Sequence, residues 1–600
     1  MKKRLTVAMI ILVTGVNGLY GGDWTSFRGP GARGNSEETG LAVTWSESEN
    51  LKWKTALPGP GSSSPIIVGE QIFITCYSGY GVDNDNPGDQ KNLKRHLVCI
   101  DAGDGKIVWE KSVAAVLPET EYKGQIQQHG YASSTPASDG ERVYVFFGKS
   151  GVFAFDFEGK QLWQRDVGAG SDKMKWGSAA SVTLYSDLVI IDAWDESKTL
   201  FALNKQNGKV VWKRDLSETG LTFTTPVLAD LGGGRVELVL ALPTQVWGLN
   251  PDTGETLWFV RTTMKDSVIG TPVIIDNTAY IHGGGVQSLS SMAVRLGGSG
   301  DVTDTHVLWF GKAATSVPSP VYCDGLLYWV DHAGKASCQD AKTGELKYSE
   351  NLPIANQFVV YASMLCAEGR LYAVTRRGGT YVLPAGPEFK IIANNKFESD
   401  DSDFHGSPAV SNGRVFLRSN RYLYCVVDSS RAGCRSLFDG KTLNGWTVLK
   451  CEAVVDNGEI LVKEGNGLIQ TEKKYGDFVL EFEWKALWDD KWDSGVYFRY
   501  DSVPDDRPWP SRYQVNLRQG MEGNVGELEE ARSTGLVKAG QWNKFKLTVQ
   551  GTKTSLEING QSAWKADGLG DPKEGYIALQ AEVPGGGQHR FRNICLTELN

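Results

Sequence analysis

Two alternating stretches near the C-terminal end hold the side chains best suited to chemistry. In Phe478-Val-Leu-Glu-Phe-Glu-Trp484, the residues Phe478, Leu480, Phe482 and Trp484 share one face of a strand, so Glu481 and Glu483 share the other. In Val496-Tyr-Phe-Arg-Tyr500, Val496 and Phe498 turn inward and leave Tyr497 and Arg499 outward. In Tyr513-Gln-Val-Asn-Leu517, the same rule leaves Gln514 and Asn516 outward. If these strands are neighbours in one sheet, their outer faces form a single surface of two carboxylates, an Arg, a Tyr and two amides. Such a surface suits sugar hydroxyls, because planar amides and carboxylates make paired hydrogen bonds and an aromatic ring stacks on a sugar face. An antiparallel sheet solvated on one side has a polar face in any case, so alternation alone leaves a groove and a plain surface both open.

The elements that must hold this surface are strands almost everywhere. With 70 Gly, 19 Trp and abundant Val, Thr and Tyr, the chain predicts many short strands and tight turns. A Ser/Thr-Pro step followed by a turn and an alternating apolar strand recurs from Ser64, Thr135, Thr225, Thr271, Ser319 and Ser407. Two copies, from Ser181 and Ser363, lack the proline. Taking the second residue of each as anchor gives 65, 136, 182, 226, 272, 320, 364 and 408, so the later spacings run from 44 to 48. The first interval is 71, which leaves room for extra loops near 79–95 and 113–130. Each clear copy continues into a turn opened by Asp or Asn and closed by Gly, then a strand carrying Trp109, Trp163, Trp212 or Trp258, weakening at Trp309 and Tyr348. Four short strands in about 44 residues is the period of a propeller blade. The eighth copy ends at Asp428 without its tryptophan strand, and Leu51-Lys-Trp53-Lys-Thr-Ala-Leu57 supplies it from the other end, closing the ring and removing two sheet edges. The prediction is an all-β chain: an eight-bladed β-propeller over 23–428, a linker at 429–435 and one further domain over 436–600.

Residues just before the anchors, among them His129, Trp176, Phe223, Tyr361 and His405, should point toward the channel mouth, with His282 and His332 in nearby loops. They share no metal-ligand spacing, and packing with loop hydrogen bonds is their expected role. The nine cysteines are scattered, with no CxxC and no adjacent pair. That pattern points to small buried apolar residues with one or two bridges such as Cys425–Cys434, and away from zinc or redox chemistry.

At the start, Lys2, Lys3 and Arg4 precede an apolar run from Leu5 to Val16 and small residues at Gly18. This reads as a secretory signal peptide over 1–18, too short to span a bilayer as a helix. No later run approaches the ~18 apolar residues of a transmembrane helix, so a periplasmic or secreted location is expected. Removing 1–18 takes away three positive charges and no negative ones, moving the formal charge from −9 to −12. An acidic surface without basic runs argues against nucleic acid and anionic lipid as partners.

The repeats over 23–428, with the opening Asp23-Trp24-Thr-Ser-Phe-Arg-Gly-Pro30, resemble the quinoprotein-type (PQQ-like) propeller repeat of exported bacterial proteins. The resemblance implies the fold and leaves function open. Some relatives are pyrroloquinoline quinone dehydrogenases; others bind no cofactor and scaffold protein assembly at the outer membrane. The adjacent cysteines that the dehydrogenases set against the quinone are absent here, so pyrroloquinoline quinone is not expected. An envelope protein is the candidate partner of the propeller.

Further on, Ser436 to Trp446, Asp493-Ser-Gly-Val-Tyr-Phe-Arg499, Tyr513-Gln-Val-Asn-Leu517, Gln541-Trp-Asn543, Ile558-Asn-Gly560 and Phe591-Arg-Asn-Ile594 fall in order and resemble the 3-keto-disaccharide hydrolase domain family. That family is a concanavalin-like jelly roll, and the resemblance implies a hydrolase or lyase of glycosides oxidised at C3. A C3 ketone acidifies the C2 proton, so a base can expel the C1 substituent by elimination before water adds. The implied roles are Glu481 or Glu483 as base, Arg499 as electrostatic partner, and Tyr497, Gln514 and Asn516 as substrate-binding groups. A divalent metal in this domain is a candidate cofactor, and a carbohydrate or oxidised disaccharide the implied partner. One departure bears on catalysis. The family pattern usually reads Tyr-Glu-Val-Gln where this chain has Tyr513-Gln-Val-Asn516, and Gln514 cannot ionise. Glu527, Glu529 or Glu530 could supply a displaced carboxylate or be solvated loop charges. Two functions therefore stand side by side: a hydrolase carried on a propeller platform, and a glycan-binding scaffold of the cell envelope without turnover.

Overall fold

The computed structural model describes residues 22–600 apart from 286, 355–359, 430–433, 439, 441, 457 and 600. The expected signal peptide and the middle of the expected linker lie outside the described residues. The chain forms two compact units, Met1–Asp428 and Ser429–Asn600.

The first unit is an eight-bladed propeller. Blade one is built from Ile66–Val68, Gln71–Ser78, Lys94–Asp101 and Ile107–Ala114, and blade eight from Ala409–Ser411, Arg414–Arg418 and Tyr422–Val427. The fourth strand of blade eight is Leu51–Ala56, paired antiparallel with Tyr422–Val427. The ring is closed by its own N-terminal strand.

Two side-chain devices explain the repeated residues. The first is the hydroxyl of the Ser/Thr-Pro step. The Ser64 amide donates to Thr135 Oγ1 at 2.9 Å, the Thr135 amide to Ser181 Oγ at 3.0 Å, and the Ser181 amide to Thr225 Oγ1 at 3.0 Å. Thr271 donates likewise to Ser319, Ser319 to Ser363 and Ser363 to Ser407, and the Ser407 amide returns to Ser64 Oγ at 3.0 Å. These groups are buried, and a buried amide needs a partner; a short hydroxyl side chain supplies one from the next blade. The second device is the tryptophan. Trp53, Trp109, Trp163, Trp212 and Trp309 each donate Nε1–H to a carbonyl of the following blade's turn: those of Ala102, Phe157, Lys205, Pro251 and Ala341. Each ring lies on the turn glycine (Gly105, Gly159, Gly208, Gly254 and Gly344), where a Cβ would come within 2.8 Å of it. Trp258 departs from the pattern: its Nε1–H donates to the fully buried Glu237 of its own blade at 2.8 Å.

The second unit is one curled antiparallel sheet, a jelly roll. Its main strands are β1 (Trp446–Asp456), β2 (Glu459–Thr471), β3 (Phe478–Ala486), β4 (Gly495–Tyr500), β5 (Gln514–Asn516), β6 (Asn543–Gln550), β7 (Lys553–Ile558), β8 (Gln561–Asp567), β9 (Tyr576–Val583) and β10 (His589–Glu598). The order is β5-β4-β9-β2-β10-β3-β6-β7-β8, with β1 paired to β2. Phe478, Leu480, Phe482 and Trp484 of β3 and Val496 and Phe498 of β4 enter the same core as Val515, Phe545, Leu579 and Phe591. Strands so far apart in the order can share one core only if the sheet curls over it.

The cysteine pairing expected from sequence is corrected here. Cys434 bonds Cys595 of β10, within the second unit, and Cys323 bonds Cys366 between blades six and seven. Cys425 is instead a free thiol buried in the core where blades seven, eight and one meet. Cys434 is already committed to Cys595.

Candidate active site

Alternation assigns the outward residues correctly on β3 and β5, but sheet order separates them. Between β3 and β4 stand β10, β2 and β9. Four strand spacings are roughly 19 Å along the sheet, and the sheet curls in that interval. Glu481 and Glu483 therefore do not share a wall with Tyr497, Gln514 and Asn516. They belong to an ion-pair ladder instead. Glu481 meets Lys544 Nζ at 2.8 Å, and Glu483 accepts from Arg592 Nε at 2.8 Å while that guanidinium lies 4.0 Å from the Trp542 ring centre.

Arg499 is also corrected. The register of β4 against β9 shifts between Tyr497 and Tyr500, and Arg499 takes φ +50°. This bulge breaks the alternation, as an extra residue in one strand must. Tyr500 is thereby turned to the Tyr497 side, their rings meeting edge-on at 6.3 Å. The Arg499 side chain is 1% exposed; it donates to Gly476 O at 3.1 Å and Gly551 O at 2.6 Å and pairs with Asp477 at 2.5 Å. It locks loops together and faces no cleft.

What gathers around Tyr497 is a different set. In the β4·β9 register Val496 faces Leu579 and Tyr497 faces Ala578; Asp493, in the loop before β4, lies near enough to Glu582 for its charge to be felt there. On the other side Tyr497 faces Gln514 and Gly495 faces Asn516. A Cβ on Gly495 would lie 2.0 Å from Gln514 Nε2, so the glycine lets that amide cross β4. Gln514 Nε2–H donates to Gln580 Oε1, and Gln580 Nε2–H donates to Glu582 Oε2 at 2.9 Å. Asp493 meets Arg518 Nε at 3.6 Å, and its amide is tied to Gly586 O at 2.9 Å. Asn516 Oδ1 accepts from the Arg518 amide at 2.7 Å and so shapes the turn carrying that Arg.

The electrostatics follow from burial. Desolvation raises the Asp493 carboxyl above its ordinary range, opposed by Arg518. Desolvation raises Glu582 as well, and the neighbouring Asp493 charge raises it further. The Tyr497 phenol, 6% exposed, is raised first by burial and then by Glu582, Glu527 and Asp493. Tyr497 is covered by the loop after β4, whose Trp509 packs beside it and donates Nε1–H to Ala581 O at 3.2 Å. His589 holds the site from beneath. Trp484 Nε1 can only donate, so His589 Nδ1 accepts at 3.3 Å and Nε2–H donates to Asp493 O at 2.9 Å and Gly586 O at 3.0 Å. Burial lowers this imidazole to about 4, so it is neutral.

Sequence reasoning missed Gln580 and Glu582, although the signal was present. In Tyr576-Ile-Ala-Leu-Gln-Ala-Glu-Val583, Ile577, Leu579, Ala581 and Val583 are buried in the core, and the alternate positions carry Gln580 and Glu582. Among the described residues no three His, Cys, Asp or Glu side chains are placed to hold a metal ion. Of the groups around Tyr497, Glu582 already accepts from Gln580 and the Gln514 amide is spent on Gln580, so these residues do not fit a metal cage.

At the propeller mouth, the expected aromatic and histidine residues do meet. Trp176 stacks on Phe223 at 6.1 Å, Tyr361 lies 5.6 Å from His405, and His129 Nε2 contacts Trp176 O at 2.8 Å. A group of buried carboxylates stands in blade three. Burial raises Asp195 to about 6 and, with the Asp195 charge, Glu196 to about 8; the Ser178 hydroxyl donates to Glu196.

The family model described as outer membrane protein assembly factor BamB matches residues 33–172, 91–222 and 173–384, more than half of the chain. The chain belongs to this propeller family. Its BamB-type propeller is followed, at residues 433–597, by a 3-keto-alpha-glucoside-1,2-lyase-like domain. Among curated relatives, the BamB of Alkalilimnicola ehrlichii is 28% identical over 201 residues, 32% of this chain and 42% of that protein. The quinoprotein ethanol dehydrogenase of Pseudomonas aeruginosa is 32% identical over 153 residues, 22% of this chain and 23% of that protein. The chain spans between 23% and 61% of the length of the curated relatives it matches. Of solved structures, BamB from Moraxella catarrhalis aligns with TM-score 0.45 at 14% identity, over 63% of this chain and 99% of that one. A putative glycosyl hydrolase from Parabacteroides distasonis aligns with TM-score 0.24 at 20% identity, over 29% of this chain and 97% of that one.

Proposed function

We propose that the C-terminal jelly roll cleaves glycosides oxidised at C3, with Asp493 and Glu582 as its acid–base pair and the propeller as an exported docking platform. The observation that supports this reading is the pair itself: Asp493 in the loop before β4 and Glu582 on β9, neighbouring carboxyls both raised by burial, inside the lyase-like domain. Carboxyls raised by burial in this way are suited to proton transfer. One carboxylate takes the C2 proton, and the electron pair forms the C1=C2 bond as the C1–O bond breaks. The protonated partner delivers its proton to the leaving oxygen. Water then adds across the double bond. Glu582 suits the base role because Gln580 orients one of its oxygens and leaves the other free of that bond. Asp493, raised by burial and held in place by His589 through its loop, takes the acid role. No step is routed through a metal.

A second reading has an observation of its own. Gln514, neutral where the family usually has Glu, is spent on an amide relay, as in a site that holds a glycan without turning it over. The test separates them. The purified chain is given disaccharides oxidised at C3, and release of the C1 substituent is followed. D493N and E582Q should each lower kcat roughly a hundredfold or more, while E481Q and E483Q stay near the parent rate. Full activity in D493N and E582Q overturns the assignment, and binding without turnover in the parent leaves the glycan-binding scaffold.

A further inference from the structure

Beside the two carboxylates lies an exposed indole that the reaction does not use. Trp488 is 42% exposed, at the tip of the loop between β3 and β4. An exposed indole can bury its apolar face against a ligand. Its backbone is held: the Leu487 amide donates to Gln588 O at 3.0 Å, and the Asp493 amide to Gly586 O at 2.9 Å. The floor beneath is three successive glycines, each against a different group. A Cβ on Gly585 would meet the Glu582 side chain at 3.7 Å, one on Gly586 the Asp493 backbone at 2.2 Å, and one on Gly587 the Trp488 ring at 2.6 Å. Gly587 also has φ +79°, a conformation that L side chains rarely adopt. Consecutive Cα atoms are about 3.8 Å apart. Glu582, Asp493 and Trp488 are therefore neighbours around one glycine turn, with one face of the indole closed by Gly587.

We propose that the open face of Trp488 is the stacking platform for the second ring of the substrate. The inference rests on the reading that Asp493 and Glu582 are the reacting pair. The apolar C–H face of a pyranose lies flat on an indole, whose π face is electron-rich. The ring bound there is then displaced sideways from the carboxylates, and the bond to be cut lies over Asp493 and Glu582. With the loop anchored at both ends, the platform is ordered before binding, which lowers the cost of association.

The experiment uses the full chain carrying D493N and E582Q, so that binding is read without turnover. Its probes are sucrose, trehalose and cellobiose, their C3-oxidised forms, and oxidised methyl glucoside as the single-ring control. Adding W488A should weaken disaccharide binding roughly tenfold and leave the single-ring control unchanged. W488F should restore most of the loss, which separates stacking from a folding defect. Equal disaccharide affinity with and without W488A overturns the platform, as does failure of every disaccharide to bind. Trp488-dependent binding alongside undiminished turnover in the single D493N and E582Q variants would keep the platform and remove the carboxylate assignment.

Discussion

At the scale of single residues, the site turns on how one neutral amide is spent. Gln514 passes its hydrogen bond through Gln580 to Glu582, so its lack of charge keeps the Glu582 carboxyl from rising further. Q514E would place a second negative charge on this relay. A like charge nearby disfavours ionisation, so the ascending limb of the pH–kcat/KM profile should move up by about one unit, measured on oxidised disaccharides. A second prediction concerns the propeller. Glu196 is raised from 4.5 to about 8 by burial and the Asp195 charge. A carboxyl raised on folding contributes stability that is full below its unfolded pKa and lost as pH climbs through its folded one. E196Q cannot ionise, so it should flatten the fall of the propeller's Tm between about pH 5 and pH 8, followed by calorimetry in pH steps. Neither carboxyl environment could be read from the chain, because burial of a charged side chain depends on which loops close over it. Asp493, by contrast, stood in a legible motif.

At the scale of elements, period-two alternation was a sound guide wherever a strand stayed regular. It placed Gln514 and Asn516 outward on β5 and Glu481 and Glu483 outward on β3. It would have found Gln580 and Glu582 on β9 too. It failed at Arg499, where a one-residue bulge with φ +50° turned the expected outward Arg into a buried clamp. It was also silent on sheet order, since alternation within a strand carries no information about its neighbours. The pairing of β4 with β9 rather than β3 is a long-range fact, set by how the sheet curls over the core in which Phe478 and Val496 meet. The clamp itself is testable. R499M keeps the length and apolar stem but strips the hydrogen bonds to Gly476 O, Gly551 O and Asp477. Losing charge-assisted bonds at a buried position should cost about 2 kcal/mol, read as a lower urea midpoint of the jelly-roll transition with unchanged slope.

At the scale of the whole molecule, the propeller was the most legible part, because eight copies of one pattern average out local exceptions. The missing eighth strand could be located in advance at Leu51–Leu57 for a physical reason: an unpaired edge in blade eight and an orphan tryptophan strand at the start have one mutual solution. Closure by Trp53 is correspondingly important. Its indole bonds Ala102 O at 3.1 Å and rests on Gly105 of blade one, while its backbone pairs with Cys425. W53A should destabilise the propeller by about 3 kcal/mol, seen as a lower Tm and as early protease cleavage near the N-terminal strand.

The run of anchor hydroxyls across the ring's seam has a consequence for how such a molecule comes apart. Seven such bonds run in one direction from Thr271 through Ser319, Ser363, Ser407, Ser64, Thr135 and Ser181 to Thr225, and so cross the seam where blade eight meets blade one. In an open stack of repeats, the end units fray first and unfolding creeps inward. Here the bonds tie the last blade to the first, so neither is a free end: opening any of these seven junctions orphans one donor and one acceptor in the dry interior at once. The propeller should therefore resist partial melting and then fail in a single step, and a chain shortened by one blade should not settle into a smaller ring.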